Sequence, residues 1–297
     1  PYKRSATISQ LIQENILHRD CASYFPSYHF YEHQEKAFRL AQQLLPFIVT
    51  TGTGSGKSLT YVVPIIEDLL RNPQLQGVRT ILVYPMNALI NSQEKEFEKF
   101  LEKVPNTPIR VAKYTGQESL AEKSAIQNNP PHILLTNYVM LELMLTRSHE
   151  EKLVESPILK FLVLDELHTY RGRQGADVAL VIRKLKQRCR QDLLCIGTSA
   201  TMSTEGNRSS RNQTVAEVAS KLFGVEIKPA QVIDETLEKS ISRPYPTLGE
   251  LQESLNQGLP PQAEQTALAL REYPLSAWIE MNFGLREEDG HLSRQTP

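Results

Sequence analysis

Cysteine is scarce in this chain: three in 297 residues, at Cys21, Cys189 and Cys195, with no Cys-x-x-Cys spacing and no histidine at metal-ligand intervals. That argues against a zinc site and a disulfide framework, and a reducing interior suits such thiols best. An excess of either charge is also missing. Lys and Arg number 33 against 34 Asp and Glu, leaving a net charge of −1. No global positive field draws the protein onto nucleic acid, so any such binding must rest on a local face. Long hydrophobic runs are lacking. No stretch approaches the roughly 18 apolar residues of a membrane span, and the N-terminus has no apolar signal core. The expectation is a soluble, cytoplasmic protein with no membrane partner. An initiator Met is absent, since the chain begins at Pro1, which reads as an excerpt from something longer. No internal repeat is visible. What remains is ordinary globular composition, 40% hydrophobic and 23% charged with 14 Gly and 18 Pro, which excludes disordered, collagenous and low-complexity chains.

From about residue 33 to 200, helical patterns alternate with short β-rich runs. Ala37, Leu40, Ala41 and Leu44 repeat at i, i+3, i+4 and i+7, predicting a one-sided helix over 33–45 that Pro46 stops. Six runs read as buried strands: 47–50, 80–84, 110–114, 132–136, 161–164 and 193–198. Most are nearly continuous apolar stretches, as expected when helices cover both faces of a parallel sheet. A further helix over 175–190 carries Val178, Val181, Ile182, Leu185 and Cys189 on one face and Arg183, Lys184, Lys186, Arg188 and Arg190 on the other. The fold class is α/β: an open, doubly wound, mostly parallel sheet with helices on both faces. Thr214 and Glu217 are spaced as a capping box opening a helix that Gly224 closes. The first thirty residues hold an amphipathic pattern (Ile8, Leu11, Ile12, Ile16) and an aromatic cluster (Tyr24, Phe25, Tyr28, Phe30, Tyr31).

The strongest chemical signal is Thr51-Gly52-Thr53-Gly54-Ser55-Gly56-Lys57-Ser58, between the apolar run 47–50 and a helical run. Glycines let backbone N–H groups turn inward, and the helix N-terminus adds partial positive charge, so a triphosphate meets many donors at once. Lys57 would neutralise the β- and γ-phosphates, and the Ser58 hydroxyl would ligand Mg²⁺. The strict pattern has Gly where this chain has Thr51. The second signal, Asp165-Glu166-Leu167-His168, leaves the apolar run 161–164. Asp165 can hold Mg²⁺, directly or through water; Glu166 can accept a proton from an attacking water. His168 is expected to couple. The third is Thr198-Ser199-Ala200-Thr201, whose small hydroxyl residues can link the carboxylates to whatever moves upon hydrolysis.

In this order and spacing, the three motifs resemble the first RecA-like domain of superfamily 2 helicases of the DEAD/DEAH type, over roughly residues 28–225. The resemblance implies a RecA-like P-loop NTPase over 31–242, preceded by an accessory segment 1–30 and followed by a helical or linker tail 243–297. It implies that Gln34, in Tyr31-Glu32-His33-Gln34, reads adenine through its amide. It assigns Pro85, Asn87, Thr115, Gly116, Thr136 and Asn137 to loops that grip sugar-phosphate, a mode indifferent to base sequence that fits a near-neutral protein. Ser199, Ala200 and Thr201 become coupling residues. The stretch 165–172, with Thr169-Tyr170-Arg171-Gly172, is similar to large bacterial helicases of DISARM- and Druantia-type antiphage defence and to RecQ4-like repair helicases. Arg171 and Arg173 could then touch nucleic acid, DNA rather than RNA, or simply be solvated.

After Thr201 the sequence shows no second alternation of buried strands and no motif of the QxxGRxxR kind. The expectation is half a motor that hydrolyses ATP weakly alone. Its partners would be single-stranded or duplex nucleic acid, a second RecA-like domain of the same longer chain that supplies an arginine finger, and other defence-system proteins. A rival reading uses the same loop: a nucleotide-gated interaction module, in which ATP controls docking without moving a strand. Intact Glu166 favours the hydrolase.

Overall fold

The apolar runs that alternate with helices in the sequence pair edge to edge in one sheet. The computed structural model describes residues 1–52, 54–189, 192–200, 207–241, 243–258, 267–288 and 291–294. Near the N-terminus, β1 (Arg4–Thr7) and β2 (His29–Tyr31) form an antiparallel pair. The main sheet contains β3 (Phe47–Thr50), β4 (Thr80–Tyr84), β5 (Val111–Lys113), β6 (Ile133–Asn137), β7 (Phe161–Leu164), β8 (Leu194–Thr198) and β9 (Val232–Asp234), in the order β5-β6-β4-β7-β8-β3-β9. Every pairing in it is parallel, so all seven carboxyl ends lie along one edge. The register keeps that edge even: Tyr84 stands opposite Asn137, Leu164 opposite Gly197 and Thr50 opposite Asp234.

Strand side chains alternate between faces, and here both faces are covered. Val49, Leu82, Leu135, Val163 and Ile196 enter one core; Ile48, Ile81, Val83, Leu134, Leu162 and Leu164 enter the other. This two-sided burial makes the strands read as continuous apolar runs rather than alternating ones. The first core also takes Leu11, Tyr24, Phe25 and Phe30, with Phe25 tilted against Phe100 at 5.1 Å between ring centroids. Residues from Arg4 onward therefore belong to the same compact unit as the sheet, Arg4–Asp234.

The helix Glu32–Gln42 buries His33, Gln34, Ala37, Phe38 and Ala41, and ends before Leu44, which takes a left-handed φ of +57° and is exposed. The helix Gly172–Cys189 buries the five residues expected of it. The expected helix start at Thr214 is corrected. The helix runs Arg208–Phe223, capped by the Asn207 side chain, which accepts from Ser210 N at 2.9 Å. Thr214 lies inside it, its hydroxyl donating to Ser210 O one turn back at 3.0 Å. Gly224, at φ +63°, closes it.

A second unit joins Pro1–Lys3 to residues from Glu235 onward. It holds the helices Leu248–Gln257, Ala267–Glu272 and Pro274–Ile279, and an antiparallel pair, β10 (Leu285–Glu288) and β11 (His291–Arg294). Tyr2 bridges Leu237, and Arg294 donates to Tyr2 Oη at 2.9 Å. The strand pair was not expected from so polar a sequence. Among the described residues no helix is long and apolar enough to cross a membrane, no acidic, cysteine or histidine cluster could hold a metal, and the three cysteines are buried and free.

Candidate active site

The carboxyl edge of a parallel sheet is where loops between strands and helices present their groups. The order of the sheet divides that edge. Most nucleotide candidates lie at or just after the ends of β3, β7 and β8, which are neighbours; nucleic-acid candidates lie at or just after the ends of β5, β6 and β4, also neighbours.

After β3, the chain turns through a loop tied at both ends. Thr51 and Ser55 are buried and their hydroxyls lie 2.6 Å apart, so the residue that departs from the strict glycine pattern has an internal partner. Ser55 O accepts from His33 Nε2, and Gly56 O accepts from Gln34 Nε2, both at 3.0 Å. Gly56 has φ +72°, and a Cβ there would stand 2.6 Å from Gln34 Nε2, so only glycine fits. Burial pushes His33 down to about 4, which keeps the ring neutral at physiological pH. Gln34 Oε1 meanwhile accepts from Tyr31 N at 2.9 Å. The loop enters the helix Leu59–Arg71 through Thr60 N and Thr60 Oγ1, both on Lys57 O. Gly52, Gly54 and Ser58 lie in this same turn; Thr53 lies outside the described residues.

Lys57 Nζ is buried with no hydrogen-bond partner among the described residues. A buried ammonium without an acceptor is costly, and an anion is the acceptor that would best satisfy it. The loop offers it a cradle of backbone at a helix N-terminus.

After β7, Asp165 is half-buried and accepts a hydrogen bond from Thr198 Oγ1, across on β8. Burial raises the Asp165 carboxyl above its ordinary range, and the Thr198 bond partly opposes this. Such a carboxylate is suited to a cation. Glu166 takes a left-handed φ of +53°, a conformation that costs a non-glycine residue roughly 1–2 kcal/mol. Its Oε2 lies 3.2 Å from His168 Nδ1 and accepts from Ala200 N at 3.5 Å. His168 Nδ1 also lies 3.1 Å from Ser199 Oγ. The structure thus brings Glu166, His168, Ser199 and Ala200 into one hydrogen-bonded group. Thr201 lies outside the described residues.

On the other half of the edge, Asn87 Oδ1 accepts from Asn137 Nδ2 at 2.8 Å, and Asn137 Oδ1 caps the next helix through Met140 N at 2.8 Å. Pro85 is half-buried and Gly116 exposed. Thr115 and Thr136 are buried: Thr115 Oγ1 donates to Glu118 at 2.9 Å, and Thr136 Oγ1 to Tyr114 O at 2.7 Å. Their hydroxyls shape the loops, while Asn87, Asn137 and Gly116 reach the surface.

Sequence reasoning missed His33 as a holder of the loop. Its only signal was adjacency to Gln34. It missed Tyr170 too, 3% exposed, its hydroxyl without a partner among the described residues.

The profile of the DEAD/DEAH box helicase family matches residues 31–209. The uncharacterized ATP-dependent helicase YprA of Bacillus subtilis (strain 168) is 31% identical over 208 residues, which are 69% of this chain and 25% of YprA. Druantia protein DruE of Escherichia coli (strain UMEA 4076-1) is 27% identical across 66% of this chain and 17% of DruE. The solved structure of the DUF1998 helicase MrfA bound to DNA and AMPPNP has a TM-score of 0.65 at 27% identity, covering 78% of this chain and 30% of that one. The chain therefore spans a quarter or less of the length of these two curated relatives.

Proposed function

The chain belongs to the DEAD/DEAH box helicase family, and from that premise we propose that it is the ATP-binding half of an ATP-dependent DNA helicase or translocase. The observation that carries this reading is the Lys57 ammonium, buried and without a partner among the described residues, in a glycine loop at a helix N-terminus. The β- and γ-phosphates of ATP supply the charge it lacks. Ser58 and Asp165 would hold Mg²⁺, offering the hard oxygen donors that ion takes; bound there, it would neutralise phosphate oxygens. Glu166 takes the proton of the attacking water, held for it by His168 and Ala200 N. Ser199 and Ala200, bonded to that pair, feel any change at Glu166.

Asn87, Asn137, Gly116 and Pro85 would face the sugar-phosphate chain, with Thr115 and Thr136 holding their loops. The choice of DNA is supported by the DNA-bound MrfA structure, and a place in antiphage defence by the likeness to Druantia protein DruE. Because the chain spans so little of its relatives' length, a second RecA-like domain outside it is proposed to supply the arginine finger, worth about 10³–10⁵ in rate.

The test uses the longer protein that carries this chain. Its ATPase is expected to rise when single-stranded DNA is added. Lys57→Ala should cost nucleotide affinity, since a charge-assisted hydrogen bond is worth about 1.5–3 kcal/mol. Glu166→Gln should keep nucleotide binding and stop turnover. Equal loss of ATP affinity in both variants would contradict the separate roles. ATPase indifferent to DNA would favour the interaction-module reading instead.

A further inference from the structure

Tyr170 is a large polar side chain in the second core whose hydroxyl bonds to nothing among the described residues. Its position is fixed from several sides. It follows His168 by two residues, and its N–H donates to Leu167 O at 3.1 Å. A Cβ at Gly175 would stand 2.7 Å from the Tyr170 carbonyl oxygen, so the first turn of the helix Gly172–Cys189 is laid directly on the Tyr170 backbone. Its ring meets that of Tyr138 edge-on, with centroids 6.4 Å apart and planes at 82°. Tyr138 follows Asn137, whose side chain holds Asn87. Tyr170 therefore stands between the Asp165-Glu166 turn and the paired loops on the other half of the edge.

We propose that Tyr170 is a positioning residue that couples the two halves: in the nucleotide-bound state its hydroxyl gains an acceptor on the Asp165 side, and its ring carries that shift through Tyr138 to the Asn137–Asn87 pair. The inference rests on the helicase reading above. A buried hydroxyl without an acceptor is a standing penalty that a second state removes, and a group with two unequal states can transmit binding energy. Burial raises the Tyr170 hydroxyl above its ordinary range, and the nearby Asp165 carboxylate adds to this.

The test is a linkage measurement on the longer protein that carries this chain. Single-stranded DNA affinity is measured with and without AMPPNP, beside nucleotide affinity without DNA, DNA-stimulated kcat and melting temperature. Coupling between sites commonly amounts to about 5- to 150-fold in affinity and is reciprocal. Tyr170→Phe deletes only the hydroxyl. It is expected to fold, to melt no lower than the parent and to bind nucleotide within about twofold, while the AMPPNP effect on DNA affinity and the DNA stimulation of kcat fall at least about fivefold. Tyr138→Leu should reproduce the loss, and Tyr138→Phe should restore it. Full coupling in Tyr170→Phe overturns the proposal, as does failure of that variant to fold, because an unpartnered hydroxyl has no bond to lose. If the parent protein itself shows neither linkage nor DNA stimulation, the helicase reading falls and this inference with it. If the parent is coupled and Tyr170→Phe equally so, only this inference falls.

Discussion

Both polar ends of the Gln34 amide are engaged: Nε2 holds Gly56 O and Oε1 caps its own helix at Tyr31 N. The adenine contact implied by family resemblance would have to share or exchange these bonds. Loop-holding acts on any nucleotide, because the phosphates meet the loop whatever the base. Gln34→Ala is therefore expected to weaken ATP and GTP alike by about 1–3 kcal/mol, the range for a buried polar group left unpaired. Parallel titrations of the two nucleotides check it, and a loss confined to ATP would show that the amide reads adenine. The residue was legible in the sequence and its bonds were not. Glycine loops and paired carboxylates announce themselves by spacing along the chain. The partners His33 to Ser55, Gln34 to Gly56 and Thr198 to Asp165 arise only when β3, β7 and β8 are brought side by side.

The helix Leu59–Arg71 begins at the phosphate loop and ends at a buried ionic knot near the opposite edge of the sheet. Asp68 accepts from Arg79 Nε at 2.7 Å and Nη2 at 3.2 Å, and from Lys160 Nζ at 2.6 Å. Arg79 and Lys160 precede β4 and β7, so the knot ties the helix to two central strands; Arg79 also donates to Ile158 O at 2.6 Å. Removing one member of a buried pair typically costs about 3–5 kcal/mol. Arg79 and Lys160 keep some solvent contact, which lowers the expectation for Asp68→Ala to about 2–3 kcal/mol. Urea unfolding measures this, and nucleotide affinity should stay near the parent's, since the knot is far along the helix from Lys57. A loss of affinity with stability unchanged would contradict the assignment. At this scale the sequence was read best where burial is two-sided: 47–50, 80–84 and 161–164 match β3, β4 and β7 residue for residue. It failed for β9, whose three residues are too few to carry a period, and at Thr214, where capping chemistry also occurs inside helices.

Taken over the whole molecule, the charges nearly cancel in total. On the helix Gly172–Cys189 several cations are engaged: Arg183 donates to Ala179 O and Lys221 O, Lys184 pairs with Glu142, and Arg188 with Glu151 and Glu155. Lys113, near the carboxyl edge, pairs with Glu94 at 2.9 Å. Arg171 and Arg173 are exposed where the chain leaves the Asp165-Glu166 turn, and they form no ion pair among the described residues. Both are open to solvent and could meet phosphate. Each phosphate neutralised on a single strand contributes about −0.7 to the slope of log affinity against log salt. Replacing both Arg171 and Arg173 by Ala in the longer protein should therefore flatten that slope by about 1.4 and weaken all base sequences equally. The measurement is single-stranded DNA affinity over a salt series with two or more unrelated sequences. An unchanged slope would remove these arginines from the interface. A change in base preference would mean that they read bases rather than the backbone, which the hydroxyl, amide and backbone groups along β4, β5 and β6 give no reason to expect.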